Sequence, residues 1–137
     1  MKQFREAVEA RDEQAMRDLL ADDVVFISPV AFKPYPGKAI TSAILRGVLR
    51  VFEDFLYTRE INDADGRDSA LVFEATVRGK RVTGCDFIHV DSHGKIDNLM
   101  VMVRPLSGAQ AVAEAMGEQF DQIAAEAAAE TEGGVAR

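Results

Sequence analysis

Asp86 is the residue of this chain whose type and setting best suit acid–base chemistry. The run Gly84-Cys85-Asp86-Phe87-Ile88-His89-Val90 alternates with a period of two. Gly84, Asp86, Ile88 and Val90 therefore share one face of a strand, and Cys85, Phe87 and His89 share the other. A carboxylate is left on the apolar side. Burial there penalises the charged form, raises the pKa and lets the carboxyl donate as well as accept a hydrogen bond. Such a group suits a ligand carbonyl or hydroxyl. Two readings stay open: Asp86 acts as acid/base or oxyanion donor, or it is held by a neighbouring hydroxyl such as Tyr35, Tyr57 or Ser28 and only shapes a binding site.

The other reactive side chains form no comparable constellation. Cys85 has no activating cation beside it in sequence and reads as a small strand hydrophobe. His89 falls on the face opposite Asp86 and His93 in the turn Asp91-Ser92-His93-Gly94, so no metal-ligand spacing arises and neither a metal nor a cofactor is expected. Asp22 and Asp23 are adjacent at the start of a strand and point to different sides. Arg104, just before Pro105, reads as a strand-end charge.

These residues need elements to position them. Phe4, Ala7 and Val8 recur at helical spacing, and Asp12 can cap a second short helix carrying Ala15, Met16, Leu19 and Leu20. The β-rich segment Val24-Val25-Phe26-Ile27-Ser28 follows. A loop with Pro29, Pro34, Pro36 and Gly37 then brings in Phe32 and Tyr35. A third helix starts near Lys38, with Ile40, Ile44, Leu45, Val48, Leu49 and Phe52 on one stripe. From Asp54 onwards the period becomes two, and turn signals at Asp63 to Gly66, Gly79-Lys80 and Asp91 to Gly94 divide four strands of an antiparallel meander. In the second of these, Leu71, Phe73, Ala75 and Val77 share the core face. The fourth strand is apolar on both faces, Leu99, Val101 and Val103 alternating with Met100 and Met102, so it requires cover on both sides. A final helix carries Ala109, Val112, Ala113, Met116, Phe120, Ile123, Ala124 and Ala127. One domain over residues 1–129 is expected, with a mobile tail over 130–137.

Whole-chain properties narrow the partners. At 137 residues there is room for one core, and 47% hydrophobic with 28% charged residues is globular composition. A formal net charge of −7 opposes phosphate backbones and anionic headgroups, which argues against nucleic-acid or membrane partners. No apolar run is long enough to span a bilayer, and the amino-terminal segment has no continuous apolar stretch of the secretory kind. The lone cysteine rules out an internal disulfide, so a cytoplasmic location is expected.

The order of elements, the segment ADDVVFISP after two short helices and the segment GCDFIHVDSHGKIDNLMVMVRPLSGAQ resemble the SnoaL-like branch of the nuclear-transport-factor-like superfamily, over residues 2 to 120. The resemblance implies an α+β fold: a curved, mainly antiparallel sheet wrapped by helices into a cone around an apolar pocket, with dimerisation through the sheet. It spans isomerases, cyclases, hydrolases and non-catalytic binders. In a gap-free comparison with ketosteroid isomerase, the catalytic tyrosine position falls on Phe4 and the general-base aspartate on Ser28, while the oxyanion aspartic acid falls on Asp86. Compared with limonene epoxide hydrolase, the arginine position falls on Gly84 and the second aspartate near Val101. Polyketide cyclases of this type use a pocket carboxylate, which Asp86 supplies.

Two functions follow as expectations. The first is a small apolar-ligand-binding protein with one internal pocket, working as a homodimer. The alternative is an isomerase, polyketide cyclase-like enzyme or hydrolase using Asp86. The pocket is expected to be lined by Phe4, Phe26, Ser28, Phe32, Tyr35, Phe55, Tyr57, Phe73, Asp86, Ile88, Leu99, Val101 and Val103.

Overall fold

A computed structural model describes residues 1–135. Two short helices open the chain, α1 (Lys2–Glu9) and α2 (Glu13–Asp18). α1 buries Phe4, Ala7 and Val8, and the Asp12 side chain accepts a hydrogen bond from the backbone N–H of Ala15, satisfying one of the free donors at the start of α2. Strand β1 (Leu20–Ile27) follows, then the two-residue β2 (Tyr35–Pro36) and helix α3 (Lys38–Val51). The meander consists of β3 (Glu53–Asn62), β4 (Asp68–Val77), β5 (Lys80–Val90) and β6 (Ile96–Arg104). Helix α4 (Leu106–Val135) closes the fold. It runs past Ala129, where the sequence reading ends the domain, and residues 136 and 137 of the expected tail lie outside the described residues. No helix among the described residues is long and apolar enough to cross a membrane.

The six strands lie in the order β2-β1-β6-β5-β4-β3. β3–β4, β4–β5, β5–β6 and β1–β2 pair antiparallel, whereas β1 and β6 run parallel, so the sheet is mixed. This overturns one expectation. The sheet is open and is not curled into a cone: β2 and β3 are its two edges and do not pair with each other, and closure would require that pairing. Helices laid against one face do the enclosing instead. Strand alternation says which residues face inward, but closure depends on strand stagger and edge contacts that a period of two does not encode.

The alternation within the meander holds. Leu71, Phe73, Ala75 and Val77 of β4 are all buried, as are Val82, Gly84, Asp86, Ile88 and Val90 of β5. α3 and α4 pack on each other over this face, and Gly47 leaves no room for a side chain between them: a Cβ there would lie 2.8 Å from Ile123 Cδ1. Outside that contact, Glu126 of α4 accepts hydrogen bonds from Arg46 and Arg50 of α3, both at 3.1 Å. These part-exposed ion pairs set the relative alignment of the helices more than they stabilise the fold.

Candidate functional site

Asp86 stands at the middle of β5, opposite Leu71 of β4 on one side and Val101 of β6 on the other. Its strand neighbours on the same face are Gly84 and Ile88. A carboxyl in that position is surrounded by hydrocarbon, and only 7% of the residue is exposed. One hydroxyl reaches it: Tyr57 Oη of β3 donates to Asp86 Oδ2 at 2.7 Å, with both side chains buried. Of the three hydroxyls the sequence offers, the structure selects this one. Ser28 is engaged elsewhere, its Oγ accepting the backbone N–H groups of Val30 and Ala31 at 3.1 and 3.2 Å.

Burial pushes the Asp86 carboxyl from 3.8 up to about 7, and the Tyr57 hydrogen bond opposes part of that rise. Burial also drives the Tyr57 phenol well above its ordinary value, and the neighbouring Asp86 charge and hydrogen bond push it the same way. Tyr57 is thus a permanent donor, while Asp86 changes its protonation near neutrality.

Aromatic packing holds this pair in place. Tyr57 meets Phe55 edge-on at 4.9 Å between centroids, and Phe55 stacks on Phe73 at 4.8 Å. Phe73 can lie there because residue 84 is glycine. A Cβ at that position would fall 2.1 Å from Phe73 Cζ and 2.8 Å from the Met102 carbonyl oxygen.

The pair faces a cavity of about 270 Å³. Of the expected lining, Phe4, Phe26, Ser28, Tyr35, Phe55, Tyr57, Phe73, Asp86 and Val101 border it. Tyr35 is brought in by β2, which pairs it with Phe26 of β1. Four expected residues do not border it. Phe32 is fully exposed, because the Ser28-anchored turn directs Pro29, Val30 and Ala31 to the cavity in its place. Ile88 and Leu99 are buried opposite one another in the core, and Val103 is only partly buried beyond the cavity wall. Sequence reading left out the helical wall: Ile44, Leu45, Val48 and Phe52 from the α3 segment, and Val112, Met116, Gly117 and Phe120 from α4. Their signal was present as apolar stripes, but periodicity cannot tell a stripe that packs solidly from one that borders a void.

No Lys, Arg or His borders the cavity among the described residues, and Asp86 is the only carboxylate that does. The hydroxyl that the ketosteroid isomerase comparison loses at Phe4 is supplied to Asp86 from a different element, strand β3. Chemically, the arrangement can bind a neutral apolar molecule, present a hydrogen bond to its oxygen, and accept or return a proton at one carboxyl group.

Comparison with known proteins places the chain by family and fold. A family model described as SnoaL-like domain matches residues 1–99. The crystal structure of a steroid delta-isomerase from Pseudomonas aeruginosa is 43% identical, with 89% of each chain covered and a TM-score of 0.83. An uncharacterised bacterial protein with a cystatin-like fold from Silicibacter pomeroyi DSS-3 is 32% identical over 86% of this chain and 82% of that one, with a TM-score of 0.81. An NTF2-like protein of unknown function from Cytophaga hutchinsonii ATCC 33406, 19% identical over 75% of this chain and 85% of that one, shares the fold at a TM-score of 0.58. No curated protein matches the chain. With the family model covering most of the sequence and two structures above 30% identity, the chain belongs to the SnoaL-like family of the nuclear-transport-factor-like superfamily.

Proposed function

We propose that this protein is an isomerase-type enzyme that moves a proton beside the carbonyl group of a small, neutral, apolar substrate, with Asp86 as the acid/base. The observation that carries this reading is the Tyr57–Asp86 pair at the closed end of an otherwise mostly apolar cavity. A base that must take a proton from carbon and return it works best with a pKa near the working pH, and Asp86 lies at about 7. When Asp86 takes the proton, the negative charge passes to the substrate oxygen. The Tyr57 hydroxyl, relieved of a charged partner, can then donate to that oxygen. Returning the proton to a second carbon completes a shift that consumes nothing. The 43% identical steroid delta-isomerase supports this class of reaction.

The experiment is the conversion of a β,γ-unsaturated cyclic ketone to its conjugated isomer, followed by ultraviolet absorbance. Wild type should turn over, and Asp86→Asn should lose about 10²- to 10⁴-fold, the range of a positioned acid/base. One observation favours a second reading, a binding protein without chemistry: among the described residues, no second carboxylate or basic side chain borders the cavity across from Asp86. Tight ketone binding by wild type without turnover would establish that reading.

The partner we propose besides the substrate is a second copy of this chain, with no nucleic acid in view of the net charge of −7. The outer sheet face carries two cross-strand apolar rows, Ile61-Ala70-Phe87-Met100 and Val72-Cys85-Met102. Ile61, Phe87 and Met102 are 51%, 39% and 52% exposed. Two copies repel through their net charge, so an apolar, self-complementary face offers the favourable approach about a two-fold axis.

A further inference from the structure

Gly47 of α3 and Gly108 and Gly117 of α4 are helical glycines of two kinds. Gly47 and Gly108 are explained by packing: a Cβ would meet Ile123 Cδ1 at 2.8 Å in the first case and Val82 Cγ1 at 2.6 Å in the second. Gly117 is different. It lies well inside α4, where glycine is a poor helix former relative to alanine, yet a Cβ there would meet nothing within 4 Å. No neighbouring atom requires the missing side chain. Gly117 nevertheless borders the cavity that holds Asp86.

Burial orients that cavity. Its closed end is formed by Asp86, Tyr57, Phe73 and Phe4, each 7% exposed or less. Its open rim is formed by exposed residues: Val30, 40% exposed, from the Ser28-anchored loop, and Ala113, Gly117 and Phe120 from α4. Phe120 packs against Tyr35 on one side of the rim, with ring centroids 6.0 Å apart. Gly117 and Phe120 are three residues apart on one helix, so they stand side by side at this opening.

From this we infer that Gly117 is a specificity-determining residue: its missing side chain keeps the rim open so that the cavity takes a substrate too long to be enclosed, with the oxygen-bearing end at Asp86 and the apolar far end passing out over Gly117, beside the Tyr35–Phe120 contact. The inference rests on the cavity being the substrate site, as proposed above, and adds to it the length of the substrate. A leucine at 117 fills space at the rim and leaves the closed end untouched. It penalises a long ligand and spares a short one.

The test uses two neutral ketones, acetophenone and its para-phenyl homologue, titrated calorimetrically into the full chain. Gly117→Leu is expected to weaken the longer ketone by about tenfold or more while changing the shorter by less than about threefold, the scale of a steric misfit in an apolar pocket. Gly117→Ala is expected to raise Tm, since it gains helix propensity and meets no obstacle. Equal weakening of both ketones by Gly117→Leu, no weakening of either, or a fall in Tm for Gly117→Ala would each overturn the role assigned to Gly117. If wild type binds neither ketone, the cavity reading falls and takes this inference with it. If wild type binds both and only the selective loss is missing, the cavity reading stands and the inference alone is lost.

Discussion

Asp86 holds its proton up to about pH 7 in the folded chain, against 3.8 for a free carboxyl, and this has consequences for both rate and stability. If the ionised form is the working base, kcat/KM should rise with pH and level off above a midpoint near 7. A profile that falls with pH would instead make the neutral acid, as an oxyanion donor, the active form. Tyr57→Phe removes the group that lowers the Asp86 pKa, so the midpoint should move upward and the plateau should fall about 10²- to 10³-fold. The stability effect has the opposite direction in pH. Because the folded pKa is raised, the folded state is relatively favoured below 3.8, and that advantage is lost progressively as pH rises through 7. The full effect is on the order of 4 kcal/mol at most. Asp86→Asn has no charge to bury. In urea unfolding, its stability relative to wild type should improve by roughly 1–3 kcal/mol between about pH 5 and about pH 8. A constant difference across that range would show that the Asp86 carboxyl is already ionised in the folded chain and its pKa is not raised. Sequence alone narrowed the partner of Asp86 to three hydroxyls. It could not choose among them, because the choice depends on how β3 pairs with β4, where the register shifts next to Tyr57.

Strand β5 is the element that places the carboxyl, and its one missing side chain is as important as the carboxylate. Gly84 lies directly opposite Phe73, whose ring occupies the space above it and supports Phe55 and Tyr57 in turn. Gly84→Ala should therefore destabilise the fold by about 1–3 kcal/mol through overpacking. It should also shift the activity midpoint, because a displaced Phe73 ring loosens the Tyr57 contact. Chemical unfolding and a pH–rate profile on the same variant check both parts. An alanine that lowers stability without moving the midpoint would separate packing from positioning. The element pattern itself was legible in the residues: the change from helical spacing to a period of two near Asp54, the Asp12 cap and the glycine turns all fall where the structure has them. The walls contributed by α3 and α4 were read only as core stripes. A helix stripe reports which side is buried, and not whether the facing sheet leaves a gap beneath it.

At the scale of the whole molecule, the outer sheet face makes its own prediction. Sedimentation velocity should report a dimer, and Phe87→Glu combined with Met102→Glu should give a folded monomer, because Phe87 and Met102 lie in adjacent apolar rows and their side chains do not enter the cavity. A wild-type monomer at high micromolar concentration would refute the proposed assembly. The mixed, open sheet also corrects the expectation of a cone. β1 joins the meander parallel to β6 and carries the short β2 at its outer edge, so enclosure of the cavity falls to the helices α1 to α4 and the loop after Ser28.

Local periodicity was enough to determine the four helices, the four strands of the meander, the inward faces of β4 and β5 and the carboxylate on the apolar side, since each is set by residues close in the chain; it read Leu20, the first residue of β1, as helical and the β2 segment as loop. Membership of the SnoaL-like family was legible for the same reason, in two contiguous segments. Only the tertiary structure decided that Tyr57 is the partner of Asp86, that Phe32 faces solvent, that helices enclose the cavity, and that Gly117 stands at its rim. Those facts depend on contacts between residues far apart in sequence, where register shifts and helix placement set distances to within an ångström. Neither is written in the pattern of any one segment.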